Sequence, residues 1–181
     1  MSNVSFQMTP EQTLANLLAK DPLVRFSVYS QIQAQTLRDV SAEICTLLDT
    51  SIREEKFVDG SNLNVIYGRF WMWVLGAYEV TRTMSEHKTC FSSSLTNRVA
   101  DFKAQISVLR MPFAKLQFKG CDKPINGEAS IYSIDMKAKD FVFQVSDKHF
   151  PMRGLMNEFN SLIASIEPED VLFDLRAAPK V

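Results

Sequence analysis

Apolar residues recur along this chain at two different periods, and the change from one to the other divides it. From Leu23 onward, Val24, Phe26, Val28, Ile32, Leu37, Val40, Ile44, Leu47 and Leu48 return mostly at helical spacing. Gln33, Gln35, Arg38, Asp39 and Glu43 fill the gaps. This pattern predicts a long amphipathic helix over 22–52, with a bend. Ahead of it, Thr9-Pro10-Glu11-Gln12 has the form of a helix start, with Thr as cap and Pro at the first helical position. That short helix carries Leu14, Leu17 and Leu18, and Asp21-Pro22 restarts the chain. Glu54 to Gly60 reads as a charged loop.

The next helix, 62–86, has apolar residues in every direction when its positions are set at about 100° intervals. Tyr67, Trp71, Val74 and Tyr78 cover one face; Met72, Trp73, Gly76 and Val80 cover much of the other. A helix of this kind is expected to be enclosed by its neighbours. Gly68 and Gly76 each cost roughly 1 kcal/mol of helix propensity against Ala, which close approach of a neighbour would offset. His87 to Ser94 is a polar break. Leu95, Val99, Phe102, Ile106 and Leu109 form another helical stripe, which Pro112 should stop.

Beyond Pro112 the period shortens to two. Leu116 and Phe118 alternate with Lys115, Gln117 and Lys119, as in a strand. Asn126-Gly127 predicts a turn before a strand from Glu128 to Ile134. Asp135 to Lys139 links it to a third strand, Asp140 to Ser146, with Phe141, Phe143 and Val145 on one side. Ser146 to Pro151 is read as a connection to a last helix over 152–166, carrying Leu155, Phe159, Leu162 and Ile166.

The expected fold is therefore α+β: about four N-terminal helices packed on a three-stranded antiparallel meander, with a closing C-terminal helix. Residues 1–166 form one domain. Residues 167–181 form a tail, and its apolar run Val171-Leu172-Phe173 suggests docking on its own subunit or a neighbour.

Composition alters this picture little. The 181 residues are 46% apolar and 23% charged, with 13 Phe, which excludes a disordered chain. A net charge of −1 excludes a global pull towards nucleic acid or an anionic membrane. Phe70 to Tyr78 is uncharged but far shorter than the roughly 20 residues a membrane span needs. Cys45, Cys90 and Cys121 contain no CxxC pair, so reduced thiols in a cytoplasm are expected. The first residues carry neither the basic nor the apolar segment of a secretion signal.

Candidate chemistry is sparse. Gly-rich phosphate loops, GxSxG and HExxH are missing from the sequence. His87 and Cys90, three residues apart, are too few for zinc, and neither metal nor cofactor is expected. Arg82 and His87 form an Arg-x4-His string that resembles the nuclease signature of HEPN-domain proteins, helical RNases of bacterial defence and toxin systems. The resemblance implies a dimer that sets the Arg and His of two chains around an RNA phosphate.

A second constellation lies on the Trp-rich helix. Arg69, Glu79 and Arg82 are charges on an element expected to be buried, so each must find a partner. Glu79 and Arg82 can pair at i and i+3. Tyr67, Trp71, Tyr78 and Arg82 share one stripe, which reads either as core packing or as an aromatic-lined pocket with a cationic end. Such a pocket would suit a small organic anion or the acidic group of a protein partner. Lys115 to Lys119 and Lys137 to Lys139 place cations near aromatic residues, yet no RNP-like string accompanies them and nucleic acid is not expected.

The expectation is a non-enzymatic binding or interaction protein of the bacterial cytoplasm type, self-associating and without a membrane partner. The alternatives are a HEPN-like RNase or nucleic-acid-binding regulator using Arg82 and His87, and a binder of small organic anions.

Overall fold

A serine divides the long N-terminal stripe. In the computed structural model, which describes residues 12, 16, 18–53, 57–117, 120, 125 and 130–176, Ser27 is fully extended. Its Oγ accepts the Ser30 N–H at 3.3 Å and so caps the helix that follows. The predicted helix over 22–52 is thus two, α1 (Leu23–Phe26) and α2 (Val28–Ser51). Residues 12, 16 and 18–20 are helical, while the Thr9-Pro10 start lies outside the described residues.

At the end of α2, β1 (Ile52–Arg53) pairs antiparallel with β2 (Phe57–Val58). The segment read as a loop therefore contains a strand of two residues, fixed by cross-strand pairing rather than by any pattern of its own.

Helix α3 (Leu63–Glu86) follows the expected bounds closely, but it is not enclosed. Ile66, Phe70, Trp73, Val74, Ala77, Val80 and Met84 are buried, whereas Trp71 and Met72 remain 39% and 57% exposed. The reason is geometric: α2 flanks it on one side, α4 on the other, and the sheet with the last helix sits beneath. An outer strip is left uncovered. Gly76 does lie against a neighbour, since a Cβ there would come within 2.9 Å of Leu37 Cδ2, but Gly68 has nothing within 4 Å.

Helix α4 (Ser93–Lys115) begins at the Ser92 cap, whose Oγ accepts the Leu95 N–H at 3.2 Å. It does not stop at Pro112. The proline falls in the last turn, where only one intrahelical bond is forfeited, and its carbonyl accepts the Leu116 N–H at 3.0 Å. Leu116 then ends the helix in the left-handed region, with φ 54°.

The sheet has three antiparallel strands in the order β3 (Ile131–Asp135), β4 (Asp140–Val145) and β5 (Lys148–Pro151). The meander is present, but its members differ from the expected ones. Leu116 belongs to the helix cap, and residues 118–119 and the Asn126-Gly127 turn lie outside the described residues. The third strand is β5, where Phe143 faces Phe150 and Gln144 faces His149. Its four residues hold one inward apolar side chain, Phe150, too short a pattern to read as a strand without its partner.

Helix α5 (Met152–Ala164) closes the fold, with Leu155, Met156, Phe159 and Leu162 turned inward. The core is aromatic. Phe70 stacks on Trp73 at 5.7 Å and on Phe143 at 5.2 Å, and Phe113 meets both Phe70 and Phe143 edge-on. Phe159 meets Trp73 edge-on, which ties α5 to α3. Trp73 also donates its indole N–H to the Leu37 carbonyl at 3.2 Å, satisfying the one polar atom of a fully buried ring.

The segment after α5 returns to the N-terminal helices. Val171 is buried and bridges to Phe91; the Leu172 N–H donates to the Cys90 carbonyl at 2.8 Å, and the Leu175 N–H to the Phe26 carbonyl at 3.0 Å. Asp170 accepts from Ser92 Oγ and pairs with Arg98. Among the described residues, no helix is long and apolar enough to cross a membrane.

Candidate functional site

Helices α3 and α4 run antiparallel, so residues two turns apart on one meet residues two turns apart on the other. Tyr78 and Ser85 are seven apart on α3; Lys103 and Arg110 are seven apart on α4. The two pairs form rungs. Lys103 Nζ donates to Ser85 Oγ at 3.0 Å, and the Arg110 guanidinium carbon lies 4.9 Å from the centre of the Tyr78 ring. Between the rungs α4 presents Ala104 and Ser107, with Ala100 beyond Lys103, and their small side chains leave an open groove of about 280 Å³. Met111 closes one end, its sulfur accepting from Arg110 Nη1 at 3.3 Å.

Among the described residues, no carboxylate lines this groove. The ion pairs of the described residues use other cations: Arg69 with Glu43, Arg82 with Glu79 and Glu86, Arg98 with Asp170, and Arg153 with Asp49. Lys103 and Arg110 thus enter the groove without a carboxylate partner among the described residues. Two positive charges on a concave surface backed by hydroxyls favour an anion.

The sequence-predicted stripe reaches this groove at one residue only, Tyr78. Tyr67 is turned inward near the other end of α3, edge-on to Phe113 at 5.9 Å and 6.1 Å from Phe143, and burial pushes its phenol pKa up. Trp71 donates its indole N–H to the Phe113 carbonyl at 3.0 Å. Arg82 lies on the outer strip, held by Glu79 at 2.7 Å and Glu86 at 2.6 Å. The hydrogen bond it donates to Glu79, and then that to Glu86, raise its pKa further. With about 100° per residue, Ser85 rather than Arg82 continues the line of Tyr67 and Tyr78.

Arg82 and His87 are not brought together. Five residues of helix set them roughly 140° apart, and the His87 ring lies 6.2 Å from Phe26, on the side of α1. Arg69, expected to need an internal partner, pairs with Glu43 at the surface. Cys90 is buried and Cys45 half-buried, and burial raises both thiol pKa values. Cys121 lies outside the described residues, as do Phe118 and Lys119 of the first basic stretch. Among the described residues no three metal-ligating side chains cluster.

Sequence reasoning missed Lys103 and Arg110. Their signal was present: two cations at i and i+7 with Ala104 and Ser107 between them, beside the Leu95–Leu109 stripe. What the spacing did not reveal was that Tyr78 and Ser85 stand opposite them.

On the other side of α3, Ile32, Thr36 and Leu37 of α2 face Gly76 and Val80 across an apolar groove of about 230 Å³, with Glu79 as its one charge. Tyr29, one turn before Ile32 on α2, is 76% exposed. Separately, Asp140 is 4% exposed and accepts the backbone N–H groups of Phe141 at 2.9 Å and Arg153 at 3.1 Å. Burial pushes its carboxyl up to about 6 against the opposing pull of those hydrogen bonds and the Arg153 charge. Arg153 itself reaches Asp49 and the carbonyls of Lys139 and Cys45, so the cluster joins α2, the hairpin and α5 as a structural lock.

Comparison of the chain with models of known families, with curated proteins and with solved structures finds no match.

Proposed function

We propose that this chain is a binding protein, not an enzyme, and that it holds a small organic anion in the groove between α3 and α4. One observation carries the reading: Lys103 and Arg110 flank a groove that no carboxylate of the described residues lines, while Arg82 nearby is already offset by two glutamates. Each charge-assisted hydrogen bond to an entering anion is worth roughly 1.5–3 kcal/mol. Among the described residues the groove holds no carboxylate or imidazole, and its Lys103 and Tyr78 are engaged with Ser85 and Arg110, which favours holding a ligand over transforming it. In this reading the protein works in the cytoplasm, where thiols such as Cys45 and Cys90 stay reduced. The RNase alternative draws less support, because Glu79 and Glu86 already occupy the charge of Arg82 that an RNA phosphate would need.

Thermal shift and calorimetry with a panel of small carboxylates test the proposal. Binding should appear in the wild type, vanish in Arg110→Met and persist in Arg82→Met, with circular dichroism confirming that both variants fold. No carboxylate raising the unfolding temperature, or loss of binding in Arg82→Met alone, would overturn it. RNA hydrolysis that disappears in His87→Ala would replace it with the nuclease reading.

A second reading, self-association, rests on a different surface. The α2 face carries both a knob, Tyr29, and a hollow over Gly76. A two-fold interface requires one patch to supply both, so the occupant we assign to it is a second copy of this chain. Light scattering at micromolar concentration decides the point, and a pure monomer removes the reading.

A further inference from the structure

We infer that the anion held between α3 and α4 is an elongated dianion with an apolar middle, an inference that rests on the anion-binding reading above. Each of the two rungs of the groove carries one cation: Lys103 is bonded to the Ser85 hydroxyl, and the Arg110 guanidinium lies over the face of the Tyr78 ring. Seven residues separate them on both helices, which sets the rungs about 10 Å apart by helical rise. A ligand with a single charge satisfies one rung and leaves the other cation unmatched. Two charges joined by a chain satisfy both.

The stretch between the rungs is neutral. Ala104 offers only a methyl group, and Ser107 turns its hydroxyl to the Ala104 carbonyl at 2.8 Å. On α3 the intervening Thr81 is buried and donates to the Ala77 carbonyl, and Arg82 leaves towards Glu79 and Glu86. Methylenes suit such a floor better than further polar groups. The volume of about 280 Å³ lies just under the range of roughly 300–1,000 Å³ for pockets that hold drug-sized molecules, so a slender chain fits better than a fused ring system.

Calorimetry at fixed ionic strength with suberate, octanoate and succinate tests this. Suberate and octanoate share a chain length and differ in one terminal carboxylate; succinate keeps both charges but is too short to span the rungs. We expect suberate to bind about tenfold more tightly than either, and Lys103→Met to abolish the advantage of suberate over octanoate measured on the same variant. Equal affinity for suberate and octanoate would overturn the dianion inference and leave the anion-binding reading standing. Failure of all three to bind would remove both. Binding of a Glu-rich peptide in place of suberate would overturn the inference in favour of an acidic protein partner.

Discussion

The two grooves beside α3 share a helix and differ in nearly everything else. On the α2 side, Ile32, Leu37, Gly76 and Val80 form an apolar hollow. On the α4 side, Tyr78, Lys103 and Arg110 form a cationic one. Tyr78 and Val80 are two residues apart and about 200° apart around the helix, so α3 shows each neighbour a different row. The chemistry of each groove is nonetheless supplied by that neighbour. Helix α2 brings Ile32 and Leu37, and α4 brings two cations separated by small residues. A helix rich in apolar residues thus serves as a common wall rather than as the site itself.

If both grooves hang on one wall, damage to the wall should abolish both. Trp73→Ala removes a buried ring that touches Phe70 and Phe159, together with its hydrogen bond to the Leu37 carbonyl. We expect a loss of about 3–5 kcal/mol in urea unfolding, with anion binding and self-association failing together. A loss below about 1 kcal/mol would mean that the walls do not share this core.

Asp140 lies away from both grooves and sets the pH at which they are best compared. Its folded pKa of about 6 stands above the ordinary carboxylate value of 3.8. The folded state therefore holds a proton that the unfolded state releases first. The associated stability is fully present below pH 4, falls as pH rises, and is lost above about 6. The difference is roughly 3 kcal/mol, and Asp140→Asn should flatten the profile measured by denaturant unfolding from pH 4 to 7. An unchanged slope in that variant would place the pH dependence elsewhere.

The smallest effect separates the grooves from each other. Gly76→Val places side-chain atoms where a Cβ already meets Leu37, filling the apolar hollow. We expect a stability loss of about 1–3 kcal/mol from overpacking, a monomer by light scattering, and suberate affinity equal to wild type. Loss of suberate binding in this variant would show that the two grooves are coupled through α3.

Much of this architecture was legible in the chain. The stripes of α2, α3 and α4, the inward Phe141, Phe143 and Val145 of β4, and the closing helix follow from spacing alone. Two errors had a common source. Pro112 as a stop for α4 and Ser146 to Pro151 as a connection both rest on single-residue preferences; in the fold the proline forfeits one hydrogen bond of the last turn, and pairing with β4 makes Lys148–Pro151 a strand. The enclosed α3 was a third error. Apolar residues in every direction show what a helix could bury, whereas the number of neighbours decides what it does bury. For the site, the stripe leads to Tyr78 but names Arg82 as its cation; the expected pair with Glu79 is present, yet it lies at the surface and Glu86 joins it there as a second partner.

The sequence by itself determined where the long helices lie, the α+β order and the aromatic character of the core, because each depends on periodicity within a few residues and on burial of apolar surface. Only the tertiary structure decided which strand completes the meander, which strip of α3 meets water, and that Lys103 and Arg110 stand across from Ser85 and Tyr78. Those outcomes depend on how separate elements are set against one another, and no local pattern encodes that placement.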